Sequence, residues 1–370
     1  MTPDSAAPRA IRRLPLVVRD AEAGRNAERF FVAAIATLLG LRALLAATGY
    51  PQIGGRHIHI AHMLWGGLVL TAALLLVLVS IGRRTRPAAA FLGGVGFGLF
   101  IDELGKFLTR DSDYFYRPAI SIIYFVFLTL FLGMRALLAR RQLTEDECLA
   151  NAITLIKDMA LEDLDPDEKA QAAALLDRCD PKDARVIAVR GFLDRLNTVS
   201  APPPGLLERA RHRLQPRVER ILTRPRFPRV LAGILFALAV SGLAWAVSTA
   251  RGLPMTGHPE GQTHLDIGYA SWGEIASNGI ACVLMMAGVV RLFGNRNAAY
   301  RLFRRSVRVT VFVTQFFVFY HAQMAGVIWL GLNVIALGVL DYLIAREEKA
   351  PAVAAEERRP VQASAATDSA

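Results

Sequence analysis

Three histidines, His57, His59 and His62, fall within six residues, and an apolar run follows at once. His57 and His59 point the same way in extended chain, because side chains alternate along a strand. His59 and His62 share a face on a helix, being three residues apart. A loop that runs into a helix near residue 59 serves all three. Imidazoles placed this way are candidate ligands for a divalent metal such as zinc, copper or iron. The competing reading is a set of wetted, hydrogen-bonded histidines at a membrane surface.

The second pointed group is Asp102-Glu103 with Lys106, near the end of another apolar run. A carboxylate at the centre of a membrane helix costs at least about 2.5–3.5 kcal/mol, so it is kept mainly where it faces a bundle interior or water. Lys106 lies four residues from Asp102 and three from Glu103, so the segment can neutralise itself. One negative charge still stays unmatched, which suits a cation, a proton or a cluster of imidazoles. Asp102, Glu103 and Lys106 are therefore the candidate catalytic residues.

A weaker echo of the histidine stretch follows later in the chain. Residues 55–66 align with residues 262–273, with four of twelve positions identical. His57 then matches His264, His59 matches Asp266, His62 matches Tyr269, and Trp65 matches Trp272. His264, Asp266 and His321 are weaker metal candidates. Glu274 and Gln315 are further polar groups inside apolar runs.

The elements that must position these residues are membrane helices. The chain has 370 residues, 53% of them hydrophobic, and a mean hydropathy of +0.34. The excess is concentrated in runs of about 20 residues, the length that crosses a hydrocarbon core of roughly 30 Å. Eight spans are expected, at about 30–49, 60–81, 88–108, 118–139, 229–250, 270–291, 306–322 and 326–345. The last two share one apolar stretch, split at residues 321–326. Gly94 and Gly98 lie in an apolar helix with no strand before them, so they read as a helix-packing surface and not a nucleotide loop. The fold expected is all-α and polytopic, with two four-helix halves related as a parallel internal repeat, an arrangement that also occurs in transporters.

The net charge is +11, and 38 of the 43 basic residues are arginine. These sit mostly in loops between apolar runs, so they report membrane orientation and no nucleic-acid partner is expected. Basic loops alternate with loops that are nearly free of lysine and arginine. Both termini are therefore expected in the cytoplasm of a cell whose arginine and alanine bias suggests a GC-rich bacterium, with the protein in its plasma (inner) membrane. The first apolar run lacks a small-residue cleavage site and reads as a retained helix. Cys148, Cys179 and Cys282 show no CxxC spacing, so no disulfide framework and no zinc site follows from them.

The expected organisation is a basic tail over 1–29, a first membrane half over 30–139, a cytoplasmic insertion over 140–228, a second half over 229–345 and a disordered tail over 346–370. Within the insertion, Thr144, Asp165-Pro166 and Asp180-Pro181-Lys182-Asp183 each mark a helix start. Leu175, Leu176, Val186, Ile187, Val189, Phe192 and Leu196 are its candidate core. Residues 206–229 interleave eight arginines with apolar residues, which suits anionic lipid headgroups as well as the bilayer itself.

By topology the His57–His62 stretch, Asp102, Glu103, His264, Asp266 and His321 all lie toward the outer face. Two readings follow: a sensor or scaffold whose insertion binds a cytoplasmic protein partner, or a small-solute transporter with an outer His/Asp/Glu cluster. The alternative is a membrane-embedded metal-dependent enzyme or redox protein that uses the outer-face histidines.

Overall fold

The computed structural model describes residues 18–48, 62–82, 84–104, 118–139, 142–157, 166–196, 219–224, 226–251 and 269–367, with single positions between 213 and 216. Every regular element among the described residues is helical. The chain divides into two compact units, one of Met1–Glu103 with Leu130–Pro203, the other of Leu104–Thr129 with Pro204–Ala370. The first unit therefore takes in the helical insertion, and residues 104–129 go with the second.

In the first unit α1 (Ala23–Thr48), α2 (His62–Val79) and α3 (Thr85–Asp102) pack with α3 against both others. Glycines allow it. A Cβ on Gly98 would sit 2.5 Å from the Ala34 carbonyl oxygen, and one on Gly94 would strike the Phe30 carbonyl oxygen. On its other flank, a Cβ on Gly96 would lie 2.7 Å from the Leu70 nitrogen, and one on Gly66 would lie 2.6 Å from the Phe100 nitrogen. The Gly94/Gly98 spacing is thus a packing surface, as its sequence context implies. The buried contacts are small residues, whereas Leu64, Leu68, Leu74 and Leu78 of α2 point outward. Small residues inside and large apolar ones outside is the pattern of helices that pack in lipid.

The insertion supplies α5 (Glu145–Lys157), α6 (Pro166–Leu176) and α7 (Ala184–Asp194), after α4 (Pro118–Ala139). All three begin where the capping signals place them. Thr144 Oγ1 accepts the Glu147 amide while Glu147 Oε2 accepts the Thr144 amide at 2.9 Å, a reciprocal capping box. Asp183 accepts the Arg185 amide at 2.9 Å. The core joins Cys148, Leu149, Ala152 and Ile156 of α5 to Ala172, Leu176, Cys179, Val186 and Leu193. Leu175, Val189 and Leu196 pack at its edge. Ile187 and Phe192, expected inside, are instead 57% and 52% exposed. Val186 and Leu193 are seven residues apart and define the inner face of α7, and Ile187 lies about 100° round from Val186.

A polar clasp ties the insertion to the segment before α1. Arg19 Nε and Nη2 donate to Glu147 Oε1 and Oε2 at 3.0 and 2.7 Å. The Asn151 amide group receives the Ala21 N–H and donates to the Arg19 carbonyl, each at 2.8 Å. Lys157 Nζ donates to the Ile81 carbonyl just beyond α2, at 2.9 Å. Hydrogen bonds from Arg19, then from the Thr144 amide, pull the Glu147 carboxyl down to about 2 from an ordinary 4.5.

The second unit holds α8 (Phe227–Ala250), α9 (Tyr269–Leu292) and α10 (Arg296–Val309). A π-helical turn, Thr310–Thr314, leads from α10 into α11 (Gln315–Ala322); a 3-10 turn, Gln323–Ala325, leads into α12 (Gly326–Thr367). At Gln323 φ is +46°, a left-handed conformation that costs a non-glycine residue about 1–3 kcal/mol. The chain reverses there: Arg304 pairs with Asp341 at 3.0 Å and Arg301 with Glu348 at 3.2 Å. A straight helix over the 53 residues Arg296–Glu348 would instead run about 80 Å. The core is built from Leu231 and Leu235 of α8, Tyr300, Phe303 and Val307 of α10, and Leu340, Leu343 and Ile344 of α12. Tyr124 of α4 donates to the Val311 carbonyl and stacks near Phe319. α12 continues to Thr367, over most of the tail whose composition reads as disordered; its alanines, glutamates and arginines are good helix formers.

Among the described residues, six stretches are long and apolar enough to cross a membrane: Ala23–Thr48, His62–Val79, Pro118–Ala139, Phe227–Ser248, Ser271–Leu292 and Arg296–Glu348. These suggest a membrane protein. α3 is not among them; its 18 residues include four glycines, Arg86 and Asp102.

Two outcomes test this packing. Gly66→Ala should destabilise by about 1–3 kcal/mol, read as a lower Tm in detergent, because the α2 and α3 backbones must separate. The adjacent Gly67→Ala meets nothing within 4 Å and should be neutral or stabilising. Equal effects at the two positions would contradict the glycine contact. The second outcome concerns the clasp. A carboxylate whose folded pKa is depressed adds stability above its unfolded value and loses it as pH falls through the folded value. Exchange protection of the Ala21 amide should therefore hold above pH 4.5 and fade toward pH 2. In Glu147→Ala it should be weak throughout.

Candidate functional site

α3 ends by delivering Asp102 and Glu103 into the first unit, where they are 1% and 2% exposed. Asp102 Oδ1 accepts Arg42 Nε of α1 at 2.5 Å, and its Oδ2 lies 3.0 Å from His62 Nε2 of α2. His62 Nδ1 lies 3.5 Å from Glu103 Oε1. Glu103 Oε2 accepts the Met63 amide at 3.1 Å, so Glu103 caps the first turn of α2 with a negative charge. Two acids thus face one guanidinium and one imidazole.

The structure therefore brings together His62, Asp102 and Glu103, three of the residues singled out by their chemistry. His57, His59, Lys106, His264 and Asp266 lie outside the described residues, as does most of the arginine segment 206–229. Among the described residues, no group of three His, Cys, Asp or Glu side chains is placed to hold a metal ion. Arg42 was missed by sequence reasoning. Its signal was an arginine inside the first apolar span, a position that demands a buried partner.

The second unit holds a different arrangement. Glu274 of α9 is 1% exposed, and its Oε2 lies 2.7 Å from His321 Nδ1 of α11. Ser271 Oγ sits 3.5 Å from the other ring nitrogen. Glu274 Oε1 has no hydrogen-bond partner among the described residues. Glu274 lines a cavity of about 360 Å³ between α8, α9, the π turn and α12. Its volume is in the range of small-molecule sites.

Asn278, Gln315 and Asn333 also line this cavity. Each amide nitrogen spends one of its two N–H donors on a backbone carbonyl: Asn278 on Glu274 at 3.1 Å, Gln315 on Gly326 at 2.8 Å, and Asn333 on Trp329 at 2.8 Å. Their side-chain oxygens remain as acceptors. The π turn carries one more residue than an α-turn, and Thr314 and Gln315 at its end are both buried. Thr314 Oγ1 also lacks a described partner. Trp245 and Trp329 contribute aromatic surface. The wall is apolar, with acceptors gathered around one half-paired carboxylate.

Sequence reasoning had Glu274, Gln315 and His321 as separate polar features. It missed Asn278, Thr314 and Asn333. Ser271, Glu274 and Asn278 recur at three- and four-residue spacing, a polar stripe on an apolar helix that was the available signal. No protein-family model, no curated protein and no solved structure matches the chain.

The first cluster is open to a direct test. Removing one partner of a buried ion pair leaves the other uncompensated, at a cost of about 3–5 kcal/mol, whereas replacing both by apolar residues is far milder. Asp102→Leu should therefore lower Tm sharply, and adding Arg42→Leu should recover part of the loss. A double variant less stable than Asp102→Leu would contradict this pairing.

Proposed function

We propose that the chain is a multi-pass plasma-membrane protein that binds a small cationic solute inside its second unit and moves it across the bilayer. The observation that carries this reading is Glu274, a buried carboxylate with one oxygen on His321 and the other without a hydrogen-bond partner among the described residues, lining an acceptor-rich cavity. A buried unmatched carboxylate favours a cation by Coulomb attraction that water no longer screens. Trp245 and Trp329 add aromatic faces on which a cationic group can rest. The same negative charge repels an anion.

The finer topology belongs to the same proposal. Eight crossings result if α3 and both arms of Arg296–Glu348 span the membrane. The arginine-rich loops then put both termini in the cytoplasm. The repeat of residues 55–66 in 262–273 pairs two four-helix halves. The arginines of 206–229 would rest on anionic headgroups.

A sensor or partner-binding role is the second reading. It is favoured by the clasp of Arg19, Glu147 and Asn151, which joins the insertion to the foot of α1. The metal-dependent enzyme or redox reading uses His57, His59 and His62 with Asp102 or Glu103; His62 lies beside both acids, and His57 and His59 fall outside the described residues.

Uptake into proteoliposomes tests transport. A panel of radiolabelled small amines and quaternary ammonium ions should show saturable uptake of at least one member. Glu274→Gln should cut that uptake at least tenfold, by about 1.4 kcal/mol or more of lost interaction, with Tm preserved. No cation taken up above empty vesicles, or uptake indifferent to Glu274→Gln, would remove the basis of this reading.

A further inference from the structure

The first unit contains a second cavity, about 370 Å³, where the foot of α1, the α2–α3 connection and the insertion helices α5 and α6 meet. Four cationic side chains line it: Arg25, Arg86, Lys157 and Arg178. Asp20 and Glu22 are the acids in its lining, so its formal charge is +2. Arg86 pairs with Asp20 at 2.5 Å, and Arg25 pairs with Glu22. Those pairs are exposed and hold their arginines only weakly. The Arg178 guanidinium makes no hydrogen bond or ion pair among the described residues. The first turn of α1 also presents the positive end of its dipole.

The remaining wall has an apolar side, with Ile81, Leu155 and Leu175, and neutral polar groups on Asn151, Thr154 and Gln171. Its depth is set by neighbours. Ile81 lies two residues past the apolar helix α2, and Glu22 lies one residue before α1. A cationic cavity with an apolar side, at the ends of two candidate membrane helices, has the character of the headgroup layer. Basic pockets at this level suit lipid phosphates.

We infer that this cavity binds a phosphate diester anion, and that its source is the headgroup of an anionic phospholipid in the surrounding leaflet. Arg178 and Lys157 approach from the insertion, Arg25 from α1 and Arg86 from the start of α3. A bound phosphate therefore joins the two parts of the unit, alongside the Arg19–Glu147 clasp. The site is independent of the cation cavity around Glu274 and does not rest on it.

Native mass spectrometry of the full chain, released from phosphatidylcholine vesicles containing phosphatidylglycerol, reads the binding. Phosphatidylglycerol should be retained in preference to phosphatidylcholine. Arg178→Gln removes a charge with no described structural partner, so its fold is kept; retention should drop about fivefold. Lys157→Gln with Arg178→Gln should drop it further, with Tm measured in parallel. Undiminished phosphatidylglycerol retention in both variants overturns the proposal. Displacement of the lipid by millimolar inorganic phosphate or glycerol phosphate overturns the lipid source, assigning the cavity to a soluble phosphate.

Discussion

The first unit depends on the close approach of α3 to α1 and α2. Where Gly94 and Gly98 meet α1, and Gly96 and Gly66 meet across to α2, backbone touches backbone with no room for a methyl group. In lipid there is little hydrophobic drive to bring helices together, so van der Waals contact of this kind holds them. The same contact fixes what α3 carries at its end. Asp102 reaches Arg42 and His62 because the three backbones are close; wider spacing would leave a buried carboxylate without partners. Packing and electrostatics are here one constraint, since the acids are tolerable only where the glycines put them.

The two units treat a buried acid differently, and that difference locates the proposed function. In the first, Asp102 has a guanidinium and an imidazole, while Glu103 caps α2. Its groups are occupied with one another, as in a structural node. In the second, Glu274 has His321 on one side and nothing described on the other. Each nearby amide has turned one of its two N–H donors to a backbone carbonyl. A stable fold gains nothing from a half-paired carboxylate in an apolar wall, since burial penalises its charged form. Such a group is retained in membrane interiors mainly where it meets an ion, a proton or a ligand.

Much of this architecture was legible in the sequence. Apolar run length marked the stretches long enough to cross a membrane, though α3 falls short, and the start signals at Thr144, Asp165-Pro166 and Asp180–Asp183 marked the three insertion helices, because both signals are local. The turn at residues 321–326 was legible for a related reason: an apolar stretch too long for one crossing must reverse. The inner face of α7 was less so, since Ile187 and Val186 are equally apolar and only the position of α5 decides between them. For the candidate sites, residue type and span position marked His62, Asp102, Glu103, Glu274 and His321. Their pairings were not readable, because Arg42 lies 60 residues from Asp102 and Glu274 lies 47 from His321. A contact across that distance is set by helix packing, which the one-dimensional pattern does not encode.

The pairing of acid and imidazole bears on the proposed repeat. In the first unit the imidazole is on the second helix of its half, at His62, and the acid is on the third, at Asp102. In the second unit the acid is on the second helix, at Glu274, and the imidazole is near the end of the third, at His321. Strict duplication would have kept the residue types in place, and the alignment of His62 with Tyr269 already departs from it. What the two share is a polar link between the second and third helices of each half, made by the same chemistry with the roles exchanged. A link of this kind satisfies both partners in an apolar medium whichever helix carries which, so drift between the two arrangements passes through tolerable states. If the halves share an origin, selection has kept the bond and not the residues, and among the described residues the second arrangement leaves a carboxylate oxygen, Glu274 Oε1, without a hydrogen-bond partner.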